Sequence, residues 1–176
     1  MTDSVENECV AVAAASFGLS DVSVHQRQCG NTNKLFRVMY KSRVDSSVSE
    51  AFLRLSSPSR SLEQVLSEVS WMDHLFKSGI KVSRPLRSLD GQLAVPIIEK
   101  HCDRESTIVA IVTATVSGSP AILDKYRHLN NLSVLSEWAK LIASMHQHAI
   151  ANRHLGIGRQ HWYDGTFVFC INLLYV

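Results

Sequence analysis

Apolar positions recur along this chain with two different periods, and each change of period marks a change of element. Val10 to Phe17 is an Ala-rich run with helical spacing; Asp3 or Ser4 can cap it, Glu6 lies in its first turn, and Gly18 stops it. Beyond Gly18 the period shortens. Val22 and Val24 alternate with polar residues up to Cys29, and Leu35-Phe36-Arg37-Val38-Met39-Tyr40 is a second strand. The Gly30-Asn31-Thr32-Asn33 segment between them therefore reads as a hairpin turn. A polar loop, Lys41 to Ser49, leads into a third strand, Ala51-Phe52-Leu53-Arg54-Leu55, and three consecutive antiparallel strands are the economical reading.

Ser56-Ser57-Pro58-Ser59 breaks the sheet, and Leu62, Val65, Leu66, Val69, Met72 and Phe76 then follow the helical period, with Ser61 as cap, Glu63 near the start and Gly79 at the end. Asp90-Gly91 predicts a hairpin between Leu86–Leu89 and Leu93–Val95. A charged turn, Cys102-Asp103-Arg104-Glu105, precedes Thr107 to Thr113, the most β-branched run in the chain and a predicted central strand. The count is about five strands with one helix inserted after the third. Past Ser117-Gly118-Ser119-Pro120 the pattern is helical: a short helix over Ala121–Leu129, then a long one carrying Leu132, Leu135, Trp138, Ala139, Ile142, Met145, His146 and Ala149. Gly156 to Gly165 reads as an irregular loop, and Phe167 to Val176 is apolar to the last residue. That run is too short to cross a bilayer, so it is expected to be buried or to promote self-association, and it reads as a truncated end. The fold class is α+β, divided into residues 1–116 and residues 117–176.

Composition narrows the function classes. With 45% hydrophobic and 19% charged residues the chain is of the globular class. Its 18 basic and 16 acidic residues form no Lys/Arg stripe, which argues against a nucleic-acid partner. Cys9, Cys29, Cys102 and Cys170 contain no C-x-x-C pair, so free thiols in a reducing cytoplasm fit better than disulfides or a zinc site. An acidic, polar N-terminus and the lack of any window of about 18 apolar residues predict a cytoplasmic protein without a membrane segment.

The chemistry rests on one cation and one carboxylate. Arg54 on an apolar strand and Glu68 on the following helix have the spacing of a phosphate-gripping pair. Taken alone, Glu68 would be a solvated helix residue and Arg54 a surface charge; their joint placement is the signal. His146 and His148 lie two apart, a spacing that cannot chelate one metal from a single helix face, so His146 reads as a packed histidine.

The order Gly30-Asn31-x-Asn33-x-x-Phe36-Arg37-Val38, Phe52-Leu53-Arg54-Leu55, Ser67-Glu68-Val69-Ser70-Trp71-Met72, Gly79-Ile80-x-Val82-x-x-Pro85, Asp90-Gly91 and Leu141-Ile142-Ala143-x-Met145-His146 resembles the N-terminal part of the aminoglycoside phosphotransferase/choline kinase-like family. The resemblance runs from about Val22 to Asp164. It implies a protein-kinase-like N-lobe followed by an incomplete, mostly helical C-lobe. By the same resemblance ATP is the cofactor, with Mg2+, and a small-molecule hydroxyl is the acceptor. Gly30, Asn31, Thr32 and Asn33 would lie over the phosphates, and Arg54, where many members have Lys, would hold α/β-phosphates while Glu68 holds Arg54. Ala114, Thr115 and Val116 would form the hinge at the adenine edge.

One departure matters. The family's catalytic loop, His-x-Asp with Asn a few residues later (His-x-Asp-x-x-x-x-Asn), occurs nowhere in the sequence; His161-Trp162-Tyr163-Asp164 has the wrong spacing and lacks the Asn. The resemblance therefore implies a catalytically incomplete phosphotransferase with no catalytic or metal residues to name. The alternatives are a non-catalytic nucleotide-binding or regulatory module, and an ordinary α+β domain.

Overall fold

Alternation along the strands decides which residues each helix covers. The computed structural model describes residues 2–29, 33–41, 47–101, 104–115 and 132–152. Helix α1 spans Thr2–Ser16, followed by β1 Ser20–Cys29, β2 Asn33–Lys41, β3 Val48–Ser56, α2 Leu62–Lys77, β4 Val95–His101, β5 Arg104–Ala114 and α3 Leu132–Ala151. The strands make one five-stranded antiparallel sheet in the order β1-β2-β3-β5-β4. This is the α+β arrangement implied above, with one helix inserted after the third strand.

Phe36 and Val38 of β2, Ala51, Leu53 and Leu55 of β3, and Ile108, Ala110 and Val112 of β5 are buried in one cluster with Cys9, Val10, Ala13, Ala14 and Phe17 of α1. The intervening positions Val109 and Ile111 point the other way and pack against Val65 and Val69 of α2, together with Leu93 and Ala94. So α1 covers one face of the sheet, and α2 covers the β5 part of the other. On that second face Leu35, Arg37 and Met39 of β2 and Glu50, Phe52 and Arg54 of β3 are partly or fully exposed.

Several sequence expectations change. Val24 is 45% exposed, because register shifts between Ser20 and Ser23 and between Val24 and Gln26 break the alternation in β1. The Asp90-Gly91 turn exists, held by Ser88 N–H on Gln92 O at 2.8 Å, but it joins no pair of strands. The Leu86 N–H goes to Val112 O at 2.8 Å, while Leu93 and Ala94 are buried under α2. The next strand therefore starts only at Val95 and pairs with β5. His146 is exposed; His148 is the histidine that packs, its ring 5.9 Å from that of His74. The predicted helix over Ala121–Leu129, the loop over 156–165 and the apolar end from Phe167 lie outside the described residues. Among those described, no helix is long and apolar enough to cross a membrane.

Both early helices end in the same way. Gly18 has φ +70°, its N–H reaches Ala15 O, and the next N–H, from Leu19, reaches Ala14 O; Gly79, at φ +81°, repeats the pattern with Phe76 and Leu75. A Cβ at Gly18 would lie 2.9 Å from Leu89 Cδ2, whereas one at Gly79 meets nothing within 4 Å. Leu89 is 64% exposed and can swing aside. Gly18→Ala and Gly79→Ala are therefore each expected to cost about 1 kcal/mol in urea unfolding, set by the left-handed backbone. A much larger loss at Gly18 alone would show that Leu89 is held in place.

Candidate functional site

Helix α2 begins with a reciprocal cap. The Gln64 N–H donates to Ser61 Oγ at 3.2 Å, and the Ser61 N–H donates to Gln64 Oε1 at 3.1 Å. The cap starts the helix at Leu62 and places Glu68 between the buried positions Val65 and Val69, toward the sheet. On the sheet, Leu53 and Leu55 point into the α1 core, so Arg54 must project from the opposite face, toward α2. Two local periodicities thus bring together residues 14 apart in the chain.

Arg54 Nη1 donates to Glu68 Oε1 at 2.5 Å. A second guanidinium, Arg60, reaches Glu68 Oε2 at 2.8 Å. All three side chains are largely buried, with 16%, 16% and 21% of the Arg54, Arg60 and Glu68 surfaces exposed. Burial alone would push the Glu68 carboxyl up, but the charges and hydrogen bonds of Arg54 and then Arg60 outweigh it and hold the carboxyl below its usual range. Glu68 is thus an acceptor-only anion at neutral pH. Arg54 is only partly satisfied: its Nε and Nη2 are buried and have no partner among the described residues. A guanidinium anchored through one nitrogen with its remaining donors unmet is suited to a planar or tetrahedral oxyanion.

Arg60 was missed in the sequence because it lies in the Ser/Pro turn, where a charge ordinarily means a solvated loop. Glu6 was missed for a similar reason. It was read as a first-turn helix residue but is 3% exposed, bonded to Arg27 of β1 at 2.6 Å and to Lys34 of β2 at 3.2 Å. Lys34 also approaches Glu99 of β4 at 3.7 Å, and Ser106 Oγ donates to the same carboxylate at 3.3 Å. Glu6 thereby ties α1 to both β1 and β2. On the exposed part of the sheet Arg37 grips Glu50 with two nitrogens, Nη2 donating to Oε2 at 2.9 Å. Hydrogen bonding to Arg37, against a smaller push from burial, lowers the Glu50 carboxyl below its usual range.

Of the other expected site residues, Asn33 opens β2 opposite Ser56. Ala114 ends β5 opposite Ala51, and its N–H is already donated to Arg84 O at 2.8 Å, so that amide is unavailable to a base edge. Thr115 follows it. Gly30, Asn31, Thr32 and Val116 lie outside the described residues. Cys9 is a free, buried thiol, raised above its usual value by burial and then by Glu99. Among the described residues no group of three or more His, Cys, Asp or Glu could hold a metal ion.

No protein-family model and no curated protein sequence matches the chain. Nine solved protein chains are similar to it, among them two kinases. One is the amicoumacin kinase hAmiN in complex with AMP-PNP, Ca2+ and Ami, at 18% identity and a TM-score of 0.49, the match covering 68% of this chain and 34% of that one. The other is a microcompartment-associated aminopropanol kinase, at 16% identity and a TM-score of 0.45, with 62% and 32% covered. The chain matches about a third of the length of each neighbour.

Proposed function

We propose that this chain is the nucleotide-binding lobe of an ATP-dependent small-molecule phosphotransferase, gripping phosphate through Arg54 and orienting Arg54 through Glu68. The observation that carries this reading is the pair of buried donors on Arg54 that have no partner among the described residues, beside an ionised carboxylate. Phosphate oxygens are the acceptors that such donors lack, and the adjoining exposed face of β2 and β3 gives a nucleotide room to lie. The acceptor in this reading is a hydroxyl compound bound by a second lobe. In this reading the lobe works in the cytoplasm, where a free thiol such as Cys9 stays reduced.

Magnesium would accompany the triphosphate and neutralise its charge, but the described residues do not form a resident metal site, and no step is drawn through one. Binding and transfer are separable here, since no His-x-Asp in the 176 residues is followed at the family's spacing by Asn: His101-Cys102-Asp103 has Ile108 at that position. That same feature favours a second reading, a nucleotide-binding module without transfer activity.

Titration calorimetry with ATP and Mg2+ tests both readings. The wild-type chain is expected to bind, and Arg54→Ala to bind about tenfold to a hundredfold more weakly, the worth of one or two charge-assisted hydrogen bonds. Unchanged affinity in Arg54→Ala would remove the site from consideration. Phosphoryl transfer by the 176-residue chain would overturn the view that it only binds.

A further inference from the structure

The end of β3 opposite Asn33 has, among the described residues, more unmet hydrogen-bonding capacity than Arg54 alone explains. Ser56 lies two residues beyond Arg54 and so on the same face of the strand, directly opposite Asn33. It is 2% exposed, and its hydroxyl has no partner among the described residues. Buried hydroxyls are normally satisfied, so an orphan on the same strand face as two guanidinium nitrogens without partners among the described residues points to an acceptor that binds there. The charge balance agrees. Two guanidiniums against one carboxylate leave the Arg54–Glu68–Arg60 chain with one surplus positive charge, where a single cation with Glu68 would be neutral.

We propose that Arg54, Ser56 and Arg60 form an oxyanion subsite that binds a phosphate group of a polyphosphate by itself, without a divalent metal and without the nucleoside. Arg54 Nε and Nη2 and the Ser56 hydroxyl donate to the oxygens. Arg60 keeps its bond to Glu68 and supplies the surplus charge, so that Glu68 does not repel the anion. The inference deepens the proposed function, resting on Arg54 as a phosphate ligand, and adds Ser56 and Arg60 to the grip. It also separates this site from one that needs Mg2+ to offset phosphate charge.

The test is calorimetry on the whole chain with tripolyphosphate in EDTA, repeated with ATP, for wild type, Ser56→Ala, Arg60→Gln and Arg60→Lys. Wild type is expected to bind tripolyphosphate in EDTA. Ser56→Ala and Arg60→Gln should each weaken binding about tenfold, which is about 1.4 kcal/mol, while Arg60→Lys retains most of it. The Arg54 Nε–H proton resonance should shift on titration. The melting temperature of ligand-free Ser56→Ala should stay level or rise, since an orphaned hydroxyl is removed, and this distinguishes ligand contact from a structural role. Binding that requires Mg2+, or variants that bind as wild type does, would overturn the subsite. The nucleotide reading fails separately. ATP binding no tighter than tripolyphosphate would sink that reading and leave the subsite standing.

Discussion

Leu53→Ala is expected to lower the unfolding free energy by about 3 kcal/mol, within the range of about 2–5 kcal/mol for emptying a closed leucine site. Leu53 is fully buried, lies opposite Phe36 on β2 and Val112 on β5, and shares the α1-side cluster with Leu55 and Ala110. Its neighbours are held by backbone ladders on both sides, so the cavity cannot collapse and most of the cost remains. Phe52→Ala, on the opposite, partly exposed face, should cost less despite the larger side chain. Urea midpoints for the two variants check the ranking. A Leu53→Ala loss below about 1 kcal/mol would mean that α1 does not seal that face, because a half-open site forfeits little on truncation.

Glu68→Ala has the second-largest expected effect. It strands Arg54 and Arg60 beside each other in a largely buried site, and breaking a buried ion pair costs about 3–5 kcal/mol. The residual exposure of all three side chains lowers the figure to about 2–3 kcal/mol. The pH dependence gives a signature that packing alone would not. The folded carboxyl titrates below the usual glutamate range, held down by Arg54 and Arg60 against the push of burial. Its contribution is therefore complete above the unfolded-state value and is lost as pH falls through the folded one. The stability gap between wild type and Glu68→Gln should thus be widest near neutrality and narrow as the pH falls below the usual glutamate range. Unfolding at several pH values measures it, and a gap that does not vary with pH would assign the effect to packing.

Legibility differed from one residue to the next for physical reasons. Arg54 and Glu68 were readable because each is placed by a short-range rule, alternation on β3 and a capped 3.6-residue period on α2. Gln64 could have been read too, since Ser61-Leu62-Glu63-Gln64 carries the Ser-x-x-Gln signature of a reciprocal cap. Arg60 carried no such signal: its role comes from the direction in which the turn returns toward α2. Ser56 looked like the first residue of a loop, whereas it is the last residue of β3 and buried. The predicted hairpin around Asp90-Gly91 failed because the turn chemistry was right while the partner of the flanking segments lay elsewhere, on β5.

By itself the sequence determined the order of α1, the first three strands and α2, the inserted helix with its glycine stop, and the strand parity that turns Arg54 away from the α1 core. These follow from interactions between near neighbours, which a linear pattern encodes. Only the tertiary structure decided that β5 lies between β3 and β4, that Val24 leaves the core, that Glu6 is a buried clamp on two strands, and that Arg60 joins Glu68. Desolvation and long-range pairing govern those outcomes, and both depend on which distant segment arrives at a position.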